Sequence, residues 1–247
     1  MKTTNKILLA TLIAILSIMT VLIVIVRFNI SFGPVAEGSM TVVSEQREIS
    51  DFKAIEASGP VKVELIQGEE IGLTIEADDN LIELIVTEVN DQVLTIRMRE
   101  RVVKYKALDV KVAFVALEAL SVSAGASVYS LNTLVGLALK HVISSGAISE
   151  LSLDFDQLTV EASSGARAKL AGKVRELFIQ SSSGSNIEAK ELVSENATVR
   201  TSSGSVNHIF VNNEMSIDAS SGAIVNYYGQ PTMKHLKTSS GAEVSAF

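Results

Sequence analysis

Serine is the most frequent residue in this chain that could do chemistry, and it recurs at a fixed interval. The string Ser-Ser-Gly-Ala or a near variant occurs seven times, and its glycines lie 21, 19, 19, 20, 18 and 19 residues apart. A catalytic serine needs a base within about 3 Å and a strained presentation such as the G-x-S-x-G motif, which this sequence lacks. Seven equivalent positions therefore favour a structural role. The repeat glycines are Gly125, Gly146, Gly165, Gly184, Gly204, Gly222 and Gly241.

His141 is the histidine whose position suggests chemistry. It lies five residues before a repeat glycine, in a row whose other members are all apolar. It is either a base beside the turn at residues 144–145 or a residue turned outward by a bulge in the 21-residue first interval, with Val142 turned inward. We favour the bulge. His208 and His235 share no ligand spacing, so we predict no metal site from the histidines.

Carboxylates are the other candidates, because parallel β-helices host polysaccharide lyases and hydrolases that use clustered acids. Glu161 and Asp218 share one row of the repeat, but an amide and a guanidinium lie between them, which is typical of a solvated face. Asp78 and Asp79 suggest calcium, yet Asn80 suits a helix cap better than a metal ligand, and the GGxGxD calcium repeat is missing. We predict no catalytic, cofactor-binding or metal-binding residue.

A basic run stands out in a chain whose net charge is −7. At alternating spacing it predicts one charged strand face, which guards an edge strand against aggregation or binds an anionic glycan or lipopolysaccharide. We favour the edge guard. The acidic balance of the whole chain argues against nucleic acid as a partner. The run consists of Arg97, Arg99, Arg101, Lys104, Lys106 and Lys111.

The elements that carry these residues are predicted to be strands, because the residues around each repeat alternate. The row five residues before glycine is mostly apolar and the next row is mostly polar, which is the period of a strand with one buried face. Units of about 19 residues are too small to fold alone and become stable by stacking into a β-solenoid. Glycine would supply a corner where φ is positive or where a side chain would clash, and stacked serines would exchange hydroxyl and backbone hydrogen bonds.

The N-terminus predicts export. Residues 7–26 carry no charge and match the length of a membrane-spanning helix. An uncleaved anchor is favoured over a cleaved signal peptide, because the apolar stretch is long and no good small-x-small site follows it. Lys2 and Lys6 precede the stretch and Arg27 follows it, so the bias of positive charge leaves the N-terminus cytoplasmic and residues 30–247 outside. The absence of cysteine excludes disulfides and thiolate chemistry.

Three segments are predicted. Residues 1–29 form the anchor or signal segment, residues 30–39 a linker, and residues 40–247 the solenoid domain. Within the domain, residues 40–111 form an opening sheet and cap, with a forerunner of the repeat at residues 57–60, and residues 112–247 form the coils. Asn80 followed by Glu83 resembles a capping box and predicts one short helix over residues 81–87.

A family resemblance rests on four features in order: the N-terminal anchor, Phe-Lys-Ala-Ile at residues 52–55, Ala-Ser-Gly-Pro-Val-Lys-Val at residues 57–63 with Ala-Asp-Asp-Asn-Leu at residues 77–81, and the ladder of repeat turns. Over residues 48–230 the chain resembles the bacterial "putative auto-transporter adhesin, head GIN domain" family. The resemblance implies a right-handed parallel β-solenoid on an envelope protein. The toastrack β-solenoids of envelope-stress systems are similar in style.

We therefore expect a membrane-anchored, non-enzymatic module for adhesion or surface interaction, in the periplasm or at the cell surface of a bacterium. Its partner would be an envelope protein or a polysaccharide. The alternative is an envelope-stress accessory that binds a signalling partner, and a carbohydrate-active enzyme is the third hypothesis. At the C-terminus, Phe247 either folds over the core as a plug or helps the last coil, with Leu236 and Val244, to dock against a second copy or a partner protein.

Overall fold

The computed structural model describes residues 12, 15–17, 19, 20 and 35–247. The chain divides into two compact units, Met1–Val35 and Ala36–Phe247. The six described residues before residue 35 are helical, and the predicted anchor at residues 7–26 lies mostly outside the described residues. Within the part of the chain that the structure describes, no helix is both long enough and apolar enough to cross a membrane. The anchor and its orientation stay predictions.

Residues 35–247 consist of strands and one short helical turn. The turn is a 3-10 helix at Ile82–Leu84. The strands are β1 (Val35–Glu37), β2 (Val42–Arg47), β3 (Ala54–Ser58), β4 (Lys62–Gln67), β5 (Gly72–Asp78), β6 (Ile85–Asn90), β7 (Val93–Met98), β8 (Arg101–Val103), β9 (Leu108–Phe114), β10 (Ala119–Ser123), β11 (Ser127–Ser130), β12 (Leu134–Ile143), β13 (Ile148–Ala162), β14 (Arg167–Ser181), β15 (Asn186–Thr201), β16 (Val206–Ala219), β17 (Ile224–Tyr228), β18 (Thr232–Thr238) and β19 (Glu243–Ala246).

The repeat residues form a parallel β-solenoid of about seven turns, which confirms the all-β prediction. β13 pairs in parallel with β14, and Ile148 lies opposite Arg167, one repeat later. The same parallel pairing continues from β14 to β15 and from β15 to β16. Equivalent residues of successive coils therefore stack at the strand spacing of about 4.8 Å. The right-handed sense stays a prediction.

The long strands share one place where the alternation of burial is interrupted, which we call the bend and which divides each of them into two half-strands. In β13, alternate residues are buried from Ser149 to Phe155 and again from Leu158 to Ala162, whereas Asp156 and Gln157 between them are both exposed. The apolar residues of the two half-strands meet in one continuous core. Each coil thus presents two outward faces, one on the first half-strand and one on the second, with the repeat turn at the end opposite the bend.

The repeat turns are held by a backbone ladder. In the turn at residues 182–185, Ser183 has a φ of 52° and Gly184 a φ of 68°, and Ser185 N–H donates to the Ser182 carbonyl at 3.2 Å. Two consecutive positive φ values with this bond are the geometry of a type I′ turn. Gly184 N–H then donates to the Ser203 carbonyl of the next coil at 3.0 Å. Every repeat glycine from Gly125 to Gly222 makes the corresponding bond to its next coil.

The glycine requirement is conformational. An added Cβ at Gly184 would meet no atom within 4 Å, although φ is positive there. The prediction of a positive φ is confirmed, and the alternative of a steric clash is wrong. The predicted hydroxyl ladder is also wrong for the exposed serines, because in residues 35–247 the stacked turns bond through backbone groups. The residue after each repeat glycine from Gly125 to Gly222 is alanine or serine, and this small buried side chain keeps the corner thin.

The forerunner turn at residues 57–60 is incorporated into the stack out of chain order. β3 pairs in parallel with β10, with Ser58 opposite Ser123, and β4 pairs in parallel with β11. On their other sides β3 pairs with β7 and β4 with β9. The coil of residues 54–67 therefore lies between residues 93–114 and residues 119–130. Antiparallel strands then close the stack, with β6 against β7, β5 against β9 and β2 against β5.

The predicted helix and linker both need correction. The helical turn covers only Ile82–Leu84 and has no side-chain cap, and residues 85–90 are strand. The capping box fails because the Asn80 amide is engaged elsewhere: its oxygen accepts from Ser39 N–H at 2.9 Å and its nitrogen donates to the Glu37 carbonyl at 2.7 Å. The linker of residues 30–39 ends early, because Val35–Glu37 form β1, which pairs with β8.

Asp78 organises the loops of the opening part through backbone hydrogen bonds. Its buried carboxylate accepts from the backbone N–H groups of Met40 at 2.8 Å, Lys106 at 3.0 Å and Ala107 at 3.1 Å. Burial alone would raise the pKa of Asp78, but these backbone donors outweigh it and lower the pKa below its ordinary value. No group of three or more metal-ligating side chains occurs in the described residues.

The last coil is less covered than the others. Leu236 is 51% exposed, although the residues in its row are buried in every preceding coil. Phe247 does not form the predicted plug, because it is 70% exposed and its ring packs against Tyr228 with a centroid distance of 5.7 Å. Self-association through this coil stays a prediction.

Replacement of Gly184 by valine should destabilise Ala36–Phe247 by about 1–3 kcal/mol, because a β-branched residue is strained at positive φ. Gly184→Asn should cost less, since asparagine tolerates this region. Gly68→Val is the matched control, because Gly68 also has open space around it but is not held at positive φ. Urea unfolding measures the three changes. Equal losses for both valine variants would contradict the conformational explanation.

Candidate functional site

His141 points into the core, so the predicted outward bulge is wrong. The side chain is fully buried, and the register shows Leu120, His141 and Val160 in one unbroken row. Its Nδ1–H donates to the Leu120 carbonyl at 3.1 Å, and its Nε2 accepts from the Ser149 hydroxyl at 2.9 Å. Burial lowers the pKa of His141 to about 4, against a smaller opposing effect of the Leu120 hydrogen bond. The imidazole is therefore neutral at pH 7.

The two extra residues of the first interval lie elsewhere. Tyr129 lies opposite Glu150, 21 residues on, whereas Leu134 lies opposite Leu153, 19 residues on. The extra length is therefore in the loop between β11 and β12. Asn132 of this loop is fixed by two bonds with the Gln67 backbone, at 3.0 Å to its N–H and 2.8 Å to its carbonyl.

Buried serine chemistry in this chain is structural. Ser149 and His141 form a serine–histidine pair, but both are fully buried, so no substrate reaches them. A second buried cluster joins the Ser181 hydroxyl to Thr201 at 2.8 Å and to the Asn207 amide oxygen at 2.9 Å. Sequence reasoning missed both groups, because their partners lie in other half-strands. Each satisfies polar groups that would otherwise be costly to bury.

The predicted basic strand face does not exist. Arg97 lies on β7, Arg101 on β8 and Lys111 on β9, and the others lie in the connections between these strands. Lys104 pairs with Glu37 at 3.2 Å and Lys111 with Glu76 at 3.3 Å. The six cations therefore do not share one strand face.

The outward face of the first half-strands carries ion pairs between successive coils. Lys173 and Asp154 are 3.1 Å apart, and Lys169 and Glu150 are 4.0 Å apart. Mutually paired and largely exposed charges contribute little to stability and have few groups left for a ligand. This face is an ordinary solvated surface.

The outward face of the second half-strands is different, and we call it the groove face. It consists of three stacked rows set by the strand register. They are Ala138, Gln157, Glu176, Asn196, Glu214 and Thr232; Lys140, Thr159, Phe178, Thr198, Ser216 and His235; and Val142, Glu161, Gln180, Arg200, Asp218 and Lys237.

Phe178 is the unusual residue of the groove face. It occupies the middle row between Thr159 and Thr198, and its ring is 36% exposed where a strand face in water would carry a polar residue. A cavity of about 550 Å³ surrounds it, with Gln180 and Arg200 in its wall. An exposed ring among amides, hydroxyls and a guanidinium is an arrangement that can stack on a ligand and hydrogen-bond to its edges.

The cavity around Phe178 is one part of a longer groove. On one side it shares Gln157 and Thr159 with a cavity of about 620 Å³ that extends to Leu137. On the other side it shares Gln180 and Arg200 with a cavity of about 420 Å³ that reaches the repeat turns. The three cavities therefore follow one another across the stacked coils.

The charges of the groove face are partly paired. Lys140 Nζ lies 2.9 Å from Glu161, and the Asn196 amide donates to Glu176 at 2.9 Å. In residues 35–247, neither Arg200 nor Asp218 is in an ion pair, so both are available to a ligand.

Glu161 and Asp218 are too far apart to form the acid pair of a glycosidase. Glu161 and Asp218 are three coils apart, which is about 14 Å at the strand spacing. Glycosidase carboxylates lie about 5–9.5 Å apart. The expectation that these two acids belong to a solvated row, and not to a catalytic pair, agrees with this separation.

Comparisons with known proteins identify the fold. The family described as "Putative auto-transporter adhesin, head GIN domain" matches residues 51–231, which confirms the resemblance seen in the sequence. A solved structure named "putative adhesin" from Bacteroides fragilis is similar with a TM-score of 0.77 and 19% identity, covering 86% of this chain and 100% of that chain.

Two further solved structures are similar. A "putative adhesin" from Parabacteroides merdae has a TM-score of 0.66 at 18% identity, covering 86% of this chain and 99% of that one. A "Putative lipid binding protein" from Parabacteroides distasonis has a TM-score of 0.69 at 16% identity, covering 86% and 100%. At these identities the likeness concerns the fold alone. The curated proteins contain no match.

The buried His141 predicts a pH dependence of stability. Its folded pKa of about 4 is below the ordinary value of 6.5, so below pH 6.5 the unfolded chain binds a proton that the folded chain does not. Stability should fall as the pH drops from 6.5 to 4, by about 3 kcal/mol in total.

The test is urea unfolding between pH 7 and pH 4 of the natural protein and of the double variant His141→Leu, Ser149→Ala. These substitutions copy Leu120 and Ala168, which occupy the same rows in neighbouring coils. The double variant should lose the part of the pH dependence that begins near pH 6.5. Parallel curves for the two proteins would contradict the assignment.

Proposed function

We propose, on the premise that this chain belongs to the family described as "Putative auto-transporter adhesin, head GIN domain", that it is a non-enzymatic adhesion module that binds a polysaccharide along the groove face. The observation that carries the proposal is the exposed Phe178 ring in the middle row of a continuous, mostly uncharged polar groove. The ring of a sugar has an apolar face that stacks on an aromatic side chain and hydroxyls that hydrogen-bond at its edge.

The solenoid supports this function by its rigidity. The groove side chains project from parallel strands that are bonded on both sides, so little conformational entropy is lost when a ligand binds. Equivalent side chains recur at about 4.8 Å, which suits a ligand that is itself a repeating polymer. Amides such as Gln157 and Gln180 both donate and accept hydrogen bonds and therefore match hydroxyl groups of either orientation.

A polysaccharide fits the groove better than the other partners considered. A signalling protein would require about 800 Å² of complementary surface with an apolar centre, whereas the polar part of the groove has one exposed aromatic ring. The net charge of −7 disfavours nucleic acid.

The proposed location is outside the cytoplasm, with the module held to the membrane by residues 7–26. The uncharged run in the sequence and the adhesin names of the similar proteins support this location. In this arrangement the groove face would meet a polymer of the envelope or of a neighbouring cell.

Phe178→Ala should weaken polysaccharide binding by about tenfold to thirtyfold, since truncation of a central aromatic residue typically costs about 2 kcal/mol. The measurement is a glycan array probed with the full-length protein in lipid nanodiscs, followed by titration of the best ligand. Lys169→Ala, on the first half-strand face, is the matched control and should bind normally. Both variants should melt at the natural temperature. Equal binding by Phe178→Ala and the natural protein would refute the groove as the binding site.

The anchor should be retained in the mature protein. N-terminal sequencing of protein from the membrane fraction should begin at residue 1 or 2, and removal of residues 1–29 should release the remaining chain into the soluble fraction. A mature N-terminus near residue 37 would show that the segment is a cleaved signal peptide.

A further inference from the structure

Leu137 breaks the pattern of the bends. The bend between half-strands carries Asp156, Arg175 and Glu195 in the following coils, as the flanking register shows. In the coil that precedes these three, the same corner carries Leu137, which is 79% exposed. Nearby Val135 is 50% exposed. The corner is therefore charged in three coils and apolar in one. Contact with water explains the charged residues but not the exposed leucine.

The exposed leucine borders a cavity of ligand size. The cavity of about 620 Å³ is lined by Ala116, Leu117, Val135, Leu137, Ala138 and Leu139 on its apolar side, which we call the apolar shelf. Gly136 leaves room there for the Phe155 ring, because an added Cβ would lie 2.6 Å from Phe155 Cε1. Small-molecule sites typically have volumes of about 300–1,000 Å³. The cavity at the apolar shelf therefore suits one small apolar ligand better than the surface of a partner protein.

The apolar shelf is continuous with the polar part of the groove. Gln157 and Thr159 line both the cavity at Leu137 and the cavity around Phe178. At the junction, Lys140 is paired with Glu161 at 2.9 Å, and Asp218 follows Arg200 in the same row, so these four side chains together offer no net positive charge to a phosphate. A ligand that fills both cavities must therefore be apolar at one end and rich in uncharged hydrogen-bonding groups at the other.

We infer that the ligand of the groove face is a glycolipid whose acyl chain lies on the apolar shelf and whose sugar lies against Phe178. The inference rests on the proposed function for its sugar part, and it adds the lipid part from Leu137 and the shared cavity wall. A free polysaccharide would use only the polar cavities and would leave the shelf exposed to water.

Alkyl maltosides test the inference with the full-length protein in lipid nanodiscs. The probe is dodecyl maltoside with a diazirine at the end of its alkyl chain, used below its critical micelle concentration. Light-induced labelling is mapped by mass spectrometry, so that labelling of the shelf peptide around residue 137 is read separately from labelling of the N-terminal segment. Octyl, decyl and dodecyl maltoside and dodecylphosphocholine then compete for the shelf peptide.

The expected result is labelling at the shelf, with competition that strengthens by about twofold to fourfold for each added methylene. Dodecylphosphocholine should compete at least tenfold less well than dodecyl maltoside. Leu137→Asp, which copies the corner of the next coil, should abolish shelf labelling. Leu131→Asp is the matched control, because Leu131 is 54% exposed but does not line the cavity, and it should label normally.

Three outcomes would overturn the inference: competition independent of chain length, equal competition by the phosphocholine, or equal labelling of the two aspartate variants. These failures are separable from a failure of the proposed function. If glycan binding still depends on Phe178 while the shelf is not labelled, the groove binds a polysaccharide without a lipid. If the shelf is labelled but glycan binding does not depend on Phe178, the proposed function fails in its sugar part.

Discussion

The fold depends on the hydrogen bond from each repeat glycine between Gly125 and Gly222 to the next coil. Gly184 N–H reaches the Ser203 carbonyl only because Ser183 and Gly184 both adopt positive φ, which turns the glycine amide along the stacking direction. The bond keeps successive turns in register, and register sets which residues lie above one another on both faces. Without it, neither the core rows nor the groove face would be aligned, since a slip of one residue exchanges the two sides of a strand.

The opening part meets a different requirement. A stack of parallel strands ends in open edges, and here antiparallel strands cover the strands at the start. Arg47 of β2 helps to fix them, because its guanidinium donates to the Ile82 carbonyl at 2.8 Å and to the Ile85 carbonyl at 2.5 Å. Asp78 fixes the loops on the other side of β5 through backbone donors from two segments. Two charged residues thus organise the irregular opening part, whereas backbone geometry organises the regular repeat coils.

The repeat made the solenoid predictable, and its forerunner at residues 57–60 was recognisable for the same reason. The position of this coil between later segments was not predictable, because strand pairing over 65 residues leaves no local pattern. His141 was misplaced because two extra residues can be accommodated anywhere in a coil, and only the register locates them at Asn132. The groove face was missed because its rows have the composition of a solvated surface, and Phe178 differs from its neighbours only once they are stacked.

The out-of-order coil has a consequence for the time at which the protein can fold. Ser58 and Ser123 are paired although 65 residues separate them, whereas the later coils pair residues about 19 apart. Closing long loops costs more entropy and slows folding. In a chain that emerges from its N-terminus, the coil of residues 54–67 has both of its stacked neighbours only after residues 93–130 have appeared, while every later coil can add to a finished neighbour. Assembly would therefore begin with a delay and then proceed one coil at a time in the direction of synthesis.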